Sequence, residues 1–267
     1  MYVIDIAWTT PDLERYIQAK GWKKEKKVRL ANPEGLEEPR PDSIAYNSTI
    51  GELLDPTEIV MDASMGTLQV IGDWFLRQCM TMKALDLTPL VNVRQVGGNF
   101  LNDCVVLKAL LLTPLANVQQ VGDYFLLGCS SLEELDLTPL INVQQLGDNF
   151  LSNCSSLKEL DLTPLVNVQK VGDNFLSRCS SLKELDLKPL ANVQQVGYGF
   201  LKECSSLKAL DLQPLVNVQQ VVEDYGQSYL LQYCSSLEDV SISQRQVAVF
   251  GAKLENSGIT PRVYGEK

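Results

Sequence analysis

Apolar positions along most of this chain follow one local grammar. In CSSLKELDLTPLVNVQKVGDNFLSR, which begins at Cys154, Leu157, Leu160 and Leu162 are spaced L-x-x-L-x-L. The last two flank one polar residue, the period of a strand with a single buried face. Pro164 follows, and because it lacks an N–H it borders the strand and does not extend it. Val168 and Val171 bring apolar groups from the opposite side, and Gly172 reads as a turn. Phe175, Leu176 and Cys179 share roughly one face of a predicted short helical turn.

The grammar repeats. Cys79, Cys104, Cys129, Cys154, Cys179 and Cys204 are each 25 residues apart, and Cys234 follows after 30. Proline (Pro89 to Pro214), glycine (Gly72 to Gly197) and asparagine (Asn92 to Asn217) keep the same 25-residue step. A unit this small cannot bury its own apolar side chains. Stacked copies bury one continuous core, which predicts a solenoid whose equivalent strands pair in parallel about 4.8 Å apart.

The L-x-x-L-x-L pattern on this period, with V-G-D-x-F-L-x-x-C-S-S-L from Val171 to Leu182, resembles the BspA-like (Treponema-type) class of leucine-rich repeats. The resemblance covers about two thirds of the chain, residues 60–242. It departs from the class in carrying Phe-Leu where Ala-Phe is usual. It implies an α/β repeat solenoid: a leucine-rich repeat array with parallel concave strands, short helical or irregular convex segments and about seven units. It also implies adhesion, scaffolding or partner recognition, and in most members a surface-exposed location.

The ends break the period. Residues 1–59 form a non-repeat cap or a small docking segment. Val3, Ile4 and Ile6 predict a short strand there, and Thr10-Pro11-Asp12 a helix start with Thr10 as the cap. Leu13, Tyr16 and Ile17 give that helix an apolar face, and Gly21 can close it. The three prolines of 32–43 read as a linker, and KKEKK at 23–27 as a solvated face. Residues 243–267 form a C-terminal cap and tail, with a short helix over 247–254. Polar caps are expected where a solenoid would otherwise expose its core and unpaired edge.

Composition narrows the chemistry. Histidine is absent, which removes the commonest general base, the His-dependent triads and most transition-metal sites. A net charge of −10 argues against nucleic acid as a partner. No stretch of about 18 apolar residues predicts a membrane span. The odd count of seven cysteines, with a first ten residues unlike a signal peptide, points to a cytoplasmic or other reducing compartment; a cell surface is the alternative. A line of single thiols without a CxxC pair does not suit zinc, so the cysteines read as buried, reduced core groups.

Equivalent positions in a solenoid stack into rows. Asp86, Asp136, Asp161, Asp186 and Asp211 lie between the last two leucines of their units, and Glu134, Glu159 and Glu184 two residues earlier. Both sets point away from the core and predict an acidic concave ladder, with Asp239 continuing it and a lysine row (Lys83, Lys108, Lys158, Lys183, Lys208) alongside. Three readings are open: a surface for a protein partner, a basic segment above all; a solvated face; or a divalent-cation site, which no D-x-D-x-D-G loop supports. Irregular units supply a second set of candidates: Leu111, standing where other units carry Asp; Tyr124; and Glu223, Asp224 and Tyr225 in a five-residue insertion. The Asn row is expected to hydrogen-bond neighbouring backbone. No nucleophile elbow, P-loop or dinucleotide fingerprint is present, and carboxylates repeated in identical settings lack the separated pKa values that acid–base catalysis requires. No enzyme activity, cofactor or metal is therefore expected. Oligomeric state is not legible.

Overall fold

In the computed structural model, residues 2–20, 27–39, 49–54 and 56–265 are described. Gly21, most of KKEKK and residues 40–43 of the linker lie outside them. Lys27 opens a strand and pairs with Glu58 at 2.6 Å.

The 25-residue units stack as parallel rungs over one core. Phe75, Phe100, Phe125, Phe150, Phe175 and Phe200 are fully buried and stacked, with successive ring centroids 5.4–6.2 Å apart and planes within 14°. The leucines of L-x-x-L-x-L and the valines of the opposite side close around this column.

The regular ladder lies on the side opposite the one that the leucine pattern suggests. Seven two-residue strands, Val70–Ile71, Gln95–Val96, Gln120–Val121, Gln145–Leu146, Lys170–Val171, Gln195–Val196 and Gln220–Val221, form one parallel sheet. The L-x-x-L-x-L side is interrupted. It carries strands Ala84–Asp86, Ala109–Leu110, Glu134–Leu135 and Ala209–Asp211, and none over 157–162 or 182–187. Thr-Pro-Leu then tightens into a 3₁₀ turn in three consecutive units, with proline in its first turn, where a missing N–H costs nothing.

The repeated glycine has a different origin from a turn. A Cβ on Gly97, Gly122, Gly147, Gly172 or Gly197 would stand 2.3–2.6 Å from atoms of the preceding rung. Glycine is required there because the two chains approach so closely.

The predicted helical turn after it is not helical. Asn174, Leu176 and Arg178 have φ of 54°, 52° and 63°, alternating with residues of ordinary φ. This backbone bonds to both neighbours: the Asn174 N–H donates to the Tyr198 carbonyl of the next rung, and the Leu176 N–H to Phe150 of the previous one. Buried Phe175, Leu176 and Cys179 mimic helical spacing, but inter-rung bonds set the conformation.

At the start of the chain, strands Tyr2–Asp5, Lys27–Ala31 and Glu58–Met61 run parallel and continue into Ala84–Asp86. Ile4, Leu13, Leu30, Ile50 and Ile59 join the common core. Helix Thr10–Lys20 is capped one residue earlier than the sequence suggests: Thr9 donates its N–H and hydroxyl to Asp12, which holds that carboxyl below its usual range. At the other end, Ser243 and Gln246 form a capping box, and the predicted 247–254 helix is a π turn, Val247–Gly251, followed by Ala252–Asn256. Within the tail, Arg262–Tyr264 adds a parallel strand beside Asp239–Ser243.

Candidate functional site

The residues of the acidic ladder share one side of the units. Asp86, Glu134, Asp136, Glu159, Asp161, Glu184, Asp186 and Asp211 are all exposed on the L-x-x-L-x-L side. The aspartates have a local task as well. Oδ1 of Asp86, Asp136 and Asp161 accepts the N–H of Thr88, Thr138 and Thr163 at 2.8–2.9 Å, and Asp186 and Asp211 accept from Lys188 and Gln213 at 2.9 and 3.0 Å. At Asp136, Asp161 and Asp186 these bonds close the turn into the 3₁₀ segment. Hydrogen bonds from the threonine hydroxyl and N–H hold the Asp86, Asp136 and Asp161 carboxyls below their usual range, so they stay ionised. Oδ1 is committed at each rung; at Asp186 the other oxygen lies 3.5 Å from the Lys188 ammonium, and Asp211 Oδ1 also accepts from the Ser241 hydroxyl at 2.8 Å.

The lysine row is exposed beside this ladder, and Glu133 lies 3.5 and 3.9 Å from Lys108 and Lys158. Leu111, in the Asp position of its unit, is 74% exposed. It is an apolar gap in an acidic row.

The remaining candidates are not brought to this face. Tyr124 lies on the Gln–Val side. The insertion forms a tight hairpin in which Asp224 and Gln227 exchange backbone hydrogen bonds of 2.9 and 3.0 Å. Tyr225 and Gly226, both at positive φ, make its tip, and Tyr225 is 98% exposed. Glu223 is tied to Lys253 of the closing segment.

The Gln–Val side holds rows that sequence reasoning passed over. Oδ1 of Asp73, Asp123, Asp148 and Asp173 accepts the N–H of Gly98, Asp148, Asp173 and Tyr198, one rung on, at 2.6–2.8 Å. Here aspartate is a strut between rungs. Burial pushes the Asp173 carboxyl up. The V-G-D motif carried the signal, but the glycine drew attention away from its neighbour. At the corner between the two sides, Asn92, Asn117, Asn167, Asn192 and Asn217 donate to carbonyls of the preceding rung at 2.7–2.9 Å, the backbone role expected of that row.

All seven thiols are free, and six are fully buried. Cys104 through Cys234 each point Sγ at a carbonyl of the preceding unit, for example Cys154 at Leu126 (3.3 Å) and Cys204 at Leu176 (3.2 Å). Burial pushes Cys179 up to about 12 and Cys234 up to about 11, far from the reactive thiolate range. Among the described residues, no cluster of three metal-ligating side chains occurs, and no helix is long and apolar enough to cross a membrane.

Solved structures similar to this chain include a leucine-rich repeat protein of T. pallidum, at 14% identity and TM-score 0.44, covering 90% of this chain and 86% of that one. A leucine-rich cell surface protein of Faecalibacterium prausnitzii is similar at 14% identity and TM-score 0.35, covering 91% and 79%. No protein of curated function matches. The sequence profile described as BspA type leucine rich repeat region matches residues 57–166 and 167–256, with six copies. That span is well over half of the chain, and it reaches past residue 242 into the closing segment. The chain belongs to the BspA-type leucine-rich repeat family.

Proposed function

We propose that this protein is a non-catalytic binding scaffold that receives a basic protein segment on its L-x-x-L-x-L face. The observation that carries the reading is the pre-set acidic row. Each aspartate is fixed by the N–H two residues on, so little side-chain entropy is lost when a cation meets its second oxygen, as the Lys188 ammonium already does at Asp186. Leu111 supplies an apolar contact in that row, and a specific partner needs such a break, because identical rungs offer no register. The hairpin at Tyr225 is a second protruding contact.

In this reading residues 1–59 and 243–267 are caps. Their strands extend the sheets at each end, and their apolar side chains enter the common core. Family membership favours a second setting for the same surface, adhesion at a cell surface.

The test is titration with a lysine- and arginine-rich peptide, comparing the native protein with the variant carrying Asn for Asp136, Asp161 and Asp186. Asparagine keeps the acceptor that the turn needs, so the fold survives. Affinity is expected to fall about tenfold in the variant and to weaken with salt, since exposed attraction is screened over about 8–10 Å. Equal affinity for both proteins moves the site away from this row.

A further inference from the structure

The Gln–Val face holds an open groove of about 960 Å³ that the repeat alone does not explain. Gln95, Gln120 and Gln145 stand on adjacent strands along its floor. Asp73 and Asp123 contribute carboxylates, and Trp74 and Tyr124, each 39% exposed, contribute rings. Among the described residues, no lysine or arginine is part of its lining.

Three departures from the repeat meet in this groove, on consecutive rungs. Trp74, Asn99, Tyr124, Asn149, Asn174 and Gly199 are equivalent positions, and all have φ between 54° and 70°. Asn and Gly tolerate that left-handed backbone, whereas a bulky aromatic is disfavoured there. The array nevertheless places aromatics three times, at Trp74, Tyr124 and Tyr229 (φ 49°), and the first two stand on either side of one rung. On that middle rung Gly98 stands where Asp73, Asp123, Asp148 and Asp173 stand in other units, so the floor between the rings is bare at the aspartate position. The rings are two rungs apart, about 9.6 Å at strand spacing. The Arg77 guanidinium, 4.8 Å from the Trp74 ring centroid, braces the first of them.

We propose that this groove binds a neutral, extended glycan, with alternate sugar rings seated on Trp74 and Tyr124. The C–H face of a pyranose is apolar and packs on an aromatic ring, while its hydroxyls both donate and accept. Glutamine amides match them in both roles, and carboxylates accept. Oδ1 of Asp73 and Asp123 is already bonded to the next rung, which leaves Oδ2 for the ligand. The carboxylates and the absence of lining cations disfavour an anionic glycan. A peptide would need pockets for alternate side chains, and the valines beneath this floor, Val96 and Val121, are buried. The proposal stands apart from the acidic row and does not depend on it.

Calorimetric titration with cellohexaose, chitohexaose and xylohexaose tests it. The key variants restore the repeat's own residues and so preserve the fold: Trp74→Asn, Tyr124→Asn and Gly98→Asp. A Cβ on Gly98 meets nothing closer than 3.4 Å, and the added carboxylate fills the bare floor. Saturable binding of at least one hexasaccharide is expected, weakened about tenfold by each aromatic replacement. Gly98→Asp is expected to weaken it at least as much, and Leu111→Asn to leave it unchanged. Absence of binding to all three sugars overturns the proposal, as does binding that survives Gly98→Asp and both aromatic replacements.

Discussion

The two long sides of each rung use the same residue type for opposite purposes. On the Gln–Val side an aspartate reaches across to the next rung's N–H, beside a glycine that lets the rungs nearly touch. On the L-x-x-L-x-L side an aspartate reaches along its own chain, to the N–H two residues on. The first side forms one seven-stranded sheet; the second is broken across its middle units. One face therefore holds the stack together. The other carries a charged row whose members are fixed locally, and its strand pairing from rung to rung lapses over 157–162 and 182–187.

The largest test of this contrast is Gly172→Ala. Its Cβ would fall 2.6 Å from both the Gly147 carbonyl carbon and Asp148 Oδ1, so the rungs must part. A loss of about 3 kcal/mol is expected in urea unfolding, in the range of overpacked sites. Leu111→Asp on the other face restores the repeat's residue at an exposed position and should shift stability by under about 0.5 kcal/mol. Similar costs for the two substitutions would erase the distinction.

A smaller test uses acid. The lowered Asp161 carboxyl adds stability above the ordinary aspartate value of 3.8, and this is lost as pH falls through its lowered value. Asp173 has the opposite sign: its raised carboxyl makes the ionised form costly, and protonation relieves that cost as pH falls through the raised value. Asp161→Asn should flatten the loss of stability on acidification, and Asp173→Asn should steepen it. Urea midpoints between about pH 7 and about pH 3 check both slopes. Slopes of the same sign would show that the two rows share one role.

Much of this was legible as one-dimensional series. The period, the core leucines and valines, the buried cysteines and the backbone-bonding asparagines each repeat at fixed spacing, and a solenoid turns spacing directly into stacking. What escaped depends on distances between rungs. The strand at Lys170–Val171 is two residues long, too short for alternation to reveal, whereas Leu160 and Leu162 alternate without forming one. Gly172 looks like a turn residue until the neighbouring backbone is in place. Leu176 fits a helical face in spacing, yet its N–H goes to the previous rung. The candidate surfaces divide in the same way. The acidic row is periodic and could be read from the sequence, while the groove at Trp74, Gly98 and Tyr124 shows only when three separate irregularities are stacked.

Native-state hydrogen exchange tests the contrast most directly. The Gly97, Gly122, Gly172 and Gly197 amides donate to the preceding rung at 2.8–3.1 Å. They should exchange slower, by on the order of 100-fold, than the amides of residues 158–161 and 183–186 on the interrupted face. Equal protection on the two faces would contradict the account, because the acidic side would then hold the stack as firmly as the Gln–Val side.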